Sequence, residues 1–421
     1  MATPDELGGA TDTVRIKIAG KDINFVESYE VKVSILQQPS AFSLRLGWSD
    51  TAVELMNLAV PGAPFELWVG PRRLQSGLLD ARAVPSAGNT TVELRGRDYL
   101  ARLFDAFVAE DQSFTQPTYY ELTRKVMDLA GLTEADGHYL IINNDANRRF
   151  LTGTKLIARQ DAELATELLT GALGGTGNLV FQTPKTKVGE RYYDFLTRQF
   201  KLAGLFLWAS PDKTFVLAAP NARQGPLYNI YRARGGTGGA DETSNVIDCR
   251  FNDDTTMRHS MATVFGRSGG GKNGIATCEG EFVDDEMFNV YKIDKRIVIH
   301  DADVKNREQC EFVARRIISE ERRAGWQLEY TVAGHTIFSG DADDLIATWG
   351  PDTVVQVDDE ELGMHGLFYL EACTYSRSNS GTTTKLTLMR PTDLLFATGL
   401  DGEDGLILQR KLKVPRGKTV R

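Results

Sequence analysis

The stretch GRSGGGKNG, residues 266–274, holds the residue types of a phosphate cradle. Against the pattern G-x-x-x-x-G-K-[ST], Gly266, Gly271 and Lys272 fall in place, while Asn273 stands where a magnesium-binding hydroxyl is needed. Such a loop aims backbone N–H groups and a helix N-terminus at the phosphates, so a strand must precede it and a helix must follow. MATVFGR upstream reads as a strand. NGIATCEGEFVDDE downstream carries two glycines, a β-branched run and no helical period. The expectation is therefore a flexible glycine-rich loop, and a nucleotide-binding enzyme using Gly266–Lys272 is the remote alternative.

Other chemistry-bearing residues fare no better. Asp253, Asp254 and His259 in FNDDTTMRHS could ligate a divalent metal, but they fall in an expected hairpin turn, where Asp and Thr are ordinary. Asp341, Asp343 and Asp344 begin like a calcium loop until Leu345 and Ile346 occupy positions that need an oxygen ligand and a glycine. The five histidines, His138, His259, His300, His335 and His365, form no H-E-x-x-H, and no G-x-S-x-G elbow occurs. Carboxylate pairs such as Asp358 and Asp359 are too common on acidic surfaces to nominate a glycosidase. The expectation is no enzyme, no catalytic residue, no cofactor and no metal.

The elements around these residues are mostly strands. In YEVKVSI, Tyr29, Val31, Val33 and Ile35 share one face; in AFSLRLGW, Phe42, Leu44, Leu46 and Trp48 do the same, and LQQPS joins the two as a hairpin. AVELMNLAV predicts two helical turns ended by PGAP, and FELWV, GLLDARAV and TTVELRG follow as strands. The far end repeats the order. NVIDCRF and HSMATVFGR, joined by NDDTTMR, precede a helix, then WGPDTVVQV, GLFYLEACTYS and TTTKLTLM. Gly77 and Gly366 each open the penultimate strand. Two copies of one β-module are expected.

The second helix, DVKNREQCEFVARRIISEERRAG, has Asp303 as a candidate N-cap, Gly325 as a C-cap, and Cys310, Val313, Ile317 and Ile318 near one face, with its Arg and Glu residues solvated. Between the copies, GRDYLARLFDAFVA places Tyr99, Leu103, Phe104 and Phe107 on one helical side. PTYYELTRKVMDLAGL, DAELATELLTGALGG and RYYDFLTRQFKLAG also read as helices, and LFLWAS with TFVLAAP as a hairpin. The fold class is β-rich α+β and multidomain: two antiparallel β-barrel or sandwich modules, 12–98 and 245–393, with a helical and mixed insert, 99–230, between them. The second module carries the helix 303–324 and the loop 266–274.

The chain has 421 residues, 42% hydrophobic and 25% charged, with a formal net charge of −9. That charge argues against a large basic surface for gripping nucleic acid over the body of the protein, and proteins are the expected partners. Cys249, Cys278, Cys310 and Cys373 are too dispersed for a zinc cage or a disulfide framework, so packed thiols are expected. The acidic N-terminus lacks the regions of a signal peptide and no apolar run approaches about 18 residues, so folding in a cytoplasm without stable membrane association is expected.

VELRGRDYLARLFDA after the first module, RQFKLAGLFLWASPDKTFVLAAP in the middle, and YTVAGH with ELGMHGLFYLEACTYSRSNSGTTTKLTLMRP near the end resemble the baseplate hub protein of Mu-like contractile-tailed phages. The resemblance covers roughly residues 12–393 and rests on strand order and loose motifs. It implies a homotrimeric ring in which each chain contributes two tail-tube-like β-modules. Six modules then adapt a six-fold tail tube to a three-fold spike. The implied partners are the spike, a tail tube or tube-initiator protein and other baseplate proteins, with nucleic acid only in transit through a channel. The implied place is the virion tail baseplate, built in the bacterial host cytoplasm. Hubs of tailocins or other contractile injection systems, and hubs with associated cell-wall hydrolase activity, are the alternatives.

Beyond the second module, 394–421 is expected to form a C-terminal arm. Its acidic LDGEDG is followed by basic LILQRKLKVPRGKTVR. The arm is expected to order on the spike or a neighbouring subunit, with Leu406, Ile407, Leu408 and Leu412 as apolar anchors and Lys411, Lys413 and Arg416 among its charges.

Overall fold

A computed structural model describes residues 14–398 apart from 24–25, 48–56, 70–71, 84–90, 116, 118, 142–183, 201–204, 223, 234–243, 245, 269–275, 305, 339–345 and 379–380. The chain begins with strands β1 (Val14–Ile18), β2 (Lys21–Ile23), β3 (Val26–Ser34), β4 (Ala41–Gly47), β5 (Pro64–Val69), β6 (Arg72–Ala83) and β7 (Thr91–Asp98). A mixed stretch follows: helices α1 (Ala101–Asp105) and α2 (Tyr119–Leu129), strand β8 (Leu140–Ile141), helix α3 (Tyr192–Phe200), and strands β9 (Phe206–Ala209), β10 (Phe215–Ala218) and β11 (Pro226–Arg232). The rest holds β12 (Val246–Asp253), β13 (Met261–Ser268), β14 (Ala276–Val283), β15 (Arg296–His300), helix α4 (Arg307–Gly325), β16 (Trp326–Ala333), β17 (Thr336–Phe338), β18 (Ile346–Thr348), β19 (Thr353–Asp359), β20 (Met364–Ser378), β21 (Gly381–Met389) and helix α5 (Pro391–Thr398).

One 13-stranded sheet runs in the order β12, β16, β21, β20, β3, β4, β7, β6, β5, β1, β2, with β19 added beside β20 and β11 beside β19. The pairing is mostly antiparallel and the path is open, so the architecture is β-rich α+β with no closed barrel among the described residues. Alternation explains its core: Phe42, Leu44 and Leu46 of β4 are buried while their neighbours face solvent, and Tyr29 and Val31 of β3 lie on the same apolar side. The β3–β4 and β9–β10 hairpins are as the sequence predicts. In the mixed region α2 and α3 pack Leu122, Val126, Phe195 and Leu196 into a second core, and Gly131 follows α2 with φ 74°.

Three local expectations change. β12 and β13 form no hairpin: β12 pairs with β16, and β13 lies in a separate sheet between β14 and β15. Period-two alternation fixes which face of a strand is apolar, but not its partner. The sequence after β12 turns inward, with Asp254 N–H donating to the Gly325 carbonyl at 2.8 Å and Arg258 fully buried. Helix α4 is capped by Asn306, whose side chain accepts from Gln309 N–H at 2.8 Å, not by Asp303, and Gly325 is its last helical residue with Trp326 as the C-cap; Asp303 instead lies in a turn closed by Val304 N–H on the Asp301 carbonyl. Helix α1 stops at Asp105, so Phe107 lies beyond it and is exposed rather than on the face of Tyr99 and Leu103.

Candidate functional site

Two strand patterns lie along the main sheet in the same chain order. β3, β4, β7, β6, β5 and β1 are successive neighbours in the first; β12, β16, β21, β20, β19 and β11 are successive neighbours in the second. The match reaches the irregularities. The register slips between Val26 and Ser28 in β3, and between Val246 and Asp248 in β12. It slips again between Leu79 and Ala81 in β6, and between Leu370 and Ala372 in β20. Leu79-Asp80-Ala81 and Leu370-Glu371-Ala372 therefore occupy equivalent bulges. The approach to each bulge is shared too: Gly62 N–H donates to the Leu79 carbonyl at 2.7 Å and Asp352 N–H to the Leu370 carbonyl at 3.0 Å. Both residues have positive φ, 88° and 59°. The patterns differ at one edge, where β1 meets β5 antiparallel and β11 meets β19 parallel.

The two patterns join where β3 pairs with the second half of β20, Ser34 opposite Ala372 through Tyr29 opposite Arg377. His335, fully buried, bridges them: Nε2 lies 2.6 Å from the Tyr29 hydroxyl and Nδ1 2.8 Å from Thr384 Oγ1. Thr384 donates its own hydroxyl to the Gly334 carbonyl at 2.7 Å. Nδ1–H must therefore donate to Thr384, and Nε2 accepts from Tyr29. Burial pushes the imidazole down to about 3, which keeps it neutral in this role at pH 7.

A second polar assembly links the β13–β15 sheet to the rest. Arg258 Nη2 reaches Asp284 at 3.1 Å and Glu286 at 2.7 Å. Arg390 reaches Glu286 at 2.8 Å and Asp393 at 2.9 Å, and Arg322 Nε lies 2.9 Å from Asp393. Burial by itself raises the Glu286 carboxyl; hydrogen bonds and charge from Arg390, then Arg258 and Arg322, overcome it and hold the group at about 2. Sequence reading placed the arginines of α4 on a solvated face, and Arg322 is instead buried. The charges satisfy one another across four chain segments, which is the geometry of a tie rather than of an acid/base pair.

The residues singled out in the sequence are scattered. Gly266 lies in β13 opposite Cys278, and a Cβ there would sit 2.6 Å from the Val304 carbonyl oxygen, so close backbone approach explains this glycine. The chain resumes as strand β14 at Ala276, while Gly271, Lys272 and Asn273 lie outside the described residues, as do Asp341, Asp343, Asp344 and Leu345. Asp253 accepts from the Tyr291 hydroxyl at 2.7 Å, Asp254 from Thr256 N–H at 2.8 Å, and His259 Nδ1 sits 2.7 Å from Glu321; these three side chains do not converge. Asp359 is buried and accepts from the Tyr330 hydroxyl at 2.9 Å, whereas Asp358 is exposed beside His365. The four cysteines are free thiols. Leu406, Ile407, Leu408, Lys411, Leu412, Lys413 and Arg416 lie outside the described residues. Among the described residues, no group of three or more His, Cys, Asp or Glu side chains could hold a metal, and no helix is long and apolar enough to cross a membrane.

No family model matches the chain, and no curated protein matches it. Solved structures do. The tail protein from Neisseria meningitidis MC58 superposes with a TM-score of 0.68 at 18% identity, over 92% of this chain and 98% of that one. The fold is that of phage tail proteins. The 43 kDa tail protein of prophage MuSo2 from Shewanella oneidensis gives a TM-score of 0.64 at 18% identity, over 90% of this chain and 99% of its own. With nearly the whole of each neighbour covered, this tail-protein fold takes in both strand patterns. The signal missed in the sequence was the pair Leu79-Asp80-Ala81 and Leu370-Glu371-Ala372. Matching Gly77 to Gly366 sets the two strands two residues out of register relative to their bulges.

Proposed function

We propose that the protein is the structural hub of a phage contractile-tail baseplate, a homotrimeric ring that joins a six-fold tail tube to a three-fold spike around a channel for DNA or cargo. The observation that carries this reading is the bulge-for-bulge repetition of one strand pattern within a chain of tail-protein fold. A three-fold assembly of such chains offers six similar surfaces, which is what contact with a six-fold ring requires. In this reading 12–98 and 245–393 are the tube-facing modules, with β11 (Pro226–Arg232) adding a strand to the second, the rest of 99–230 is the insert between them, and 394–421 is an arm that docks on the spike or a neighbour. The role is mechanical: a rigid continuous sheet and buried polar ties suit a part that transmits load without chemistry.

Native mass spectrometry with negative-stain imaging tests it. The expected result is a three-chain ring with an open centre, alone or on mixing with the spike. A chain that stays monomeric under both conditions overturns the reading. Deleting residues 400–421 is expected to leave the ring intact and weaken spike capture, measured by pull-down.

A further inference from the structure

On the face of the β14-β13-β15 sheet that α4 covers, two glycines let the helix come unusually close. Gly266 of β13 lies opposite Cys278 of β14, and Gly280 follows Cys278 by two residues on the same face. A Cβ on Gly280 would sit 2.3 Å from the Glu311 backbone nitrogen and 2.7 Å from Cys310 Cβ, and a Cβ on Gly266 would sit 2.7 Å from Cys278 Sγ. The first turn of α4 therefore rests directly on the sheet backbone. Just before the helix, the Val304 carbonyl accepts from Arg267 N–H at 2.8 Å, which ties the approaching chain to β13 as well. This close approach brings two sulfurs together: Cys310 Sγ lies 3.6 Å from Cys278 Sγ. Cys310 is fully buried, whereas Cys278 is only partly buried.

We propose that Cys278 and Cys310 are an oxidisable pair whose disulfide pins the first turn of α4 to β14. A disulfide holds its sulfurs about 2.0 Å apart, and each sulfur here ends a single rotatable Cα–Cβ bond, so side-chain rotation supplies the closure. The oxidant is a low-molecular-weight disulfide such as oxidised glutathione. The more accessible Cys278 thiolate attacks one of its sulfurs, the oxidant's S–S bond breaks, and one thiol leaves. Cys310 then gives its proton to solvent and attacks Cys278 Sγ, forming the protein S–S bond and expelling the second thiol; two protein thiols are oxidised and one disulfide is reduced. Burial, with Cys278 beside it, holds the Cys310 thiol up at about 12, which makes the second step the slow one. The closed loop 278–310 contains Asp284 and Glu286, the acidic side of the Arg258 tie. Oxidation thus restrains that segment in the unfolded chain and stabilises the inserted sheet. A reducing cytoplasm keeps such a pair as thiols, and an oxidising medium sets the link. None of this rests on the hub reading.

Peptide mapping of the full-length chain tests it. The folded, reduced protein is incubated with oxidised glutathione, alkylated with iodoacetamide and digested with trypsin without reduction. The expected result is a link between peptides 273–292 and 308–315, formed within one chain and released by dithiothreitol, together with a higher urea midpoint for the oxidised protein. Cys278→Ala and Cys310→Ala should each abolish the link and the midpoint shift; if either variant fails to fold, the oxidised and reduced wild-type chains still give the comparison. Two alkylated cysteines, or glutathione held on Cys278 with no link, overturn the proposal. A link that forms only once urea has unfolded the chain overturns it too, because the folded pair is then not poised to react. A link with no rise in midpoint keeps the oxidisable pair and overturns the pin. Each outcome is read without reference to how many chains assemble, so a failed ring and a failed link remain separate results.

Discussion

In the first strand pattern, β3 and β4 are joined by residues 35–40; in the second, their counterparts β12 and β16 are separated by residues 254–325. That interval builds its own sheet, β14-β13-β15, roofed by α4 through Cys310, Val313, Ala314 and Ile318. Yet the register of β12 on β16 keeps the bulge of β3 on β4. The comparison teaches that strand register here is set by alternation and bulges, not by the turn, because a one-residue slip would turn a buried face to water. It also shows what an insertion demands. The bulge acid Asp80 pairs with Arg97 from the adjacent strand, whereas Glu371 pairs with Arg323 from the inserted helix, and the insert adds the Arg258–Glu286–Arg390 tie.

That comparison can be broken at several points. The largest effect is expected from Arg258→Ala, which leaves Asp284 and Glu286 short of a buried partner. About 3–5 kcal/mol is expected, read by urea denaturation, with the β13–β15 sheet losing amide-exchange protection before the first pattern does. Acid is expected to act on the second pattern in two windows. From pH 6.5 down to about 3 the unfolded chain takes up a proton at His335 that the folded chain refuses, so stability falls as pH falls. Glu286, held at about 2 against an ordinary 4.5, adds stability that is present above pH 4.5 and lost as pH drops toward 2. Unfolding midpoints across a pH series check this, and His335→Gln should flatten the first window only. Tyr29→Phe strips the hydroxyl that His335 Nε2 accepts from and should cost about 1–3 kcal/mol, without disturbing the β13–β15 sheet. Smallest is Gly62→Ala: no atom lies within 4 Å of the added Cβ, so only the left-handed backbone is penalised, by about 1 kcal/mol. In the second pattern Asp352 already tolerates that conformation, helped by its carboxylate accepting from Tyr369 and Asn221 N–H.

Much of this was legible in the residues. Alternation in YEVKVSI and AFSLRLGW and the glycine after α2 depend on short-range sterics and on burial of one face, which the sequence records locally; the repeat read from the sequence sets HSMATVFGR against AFSLRLGW, whereas β16 holds that place beside β12. The absence of a helical period after Lys272 excludes a helix there but does not by itself announce the strand found from Ala276. Other features were not legible. That β12 passes over β13 to reach β16, that Arg322 turns inward to Asp393, and that β3 and β20 fuse the two patterns into one sheet are partner choices between residues far apart in the chain. A strand's pattern states which face it must bury and an arginine's charge states that it needs a counter-ion. Which distant edge or carboxylate answers depends on the packing of the whole chain, and only the tertiary structure decided that.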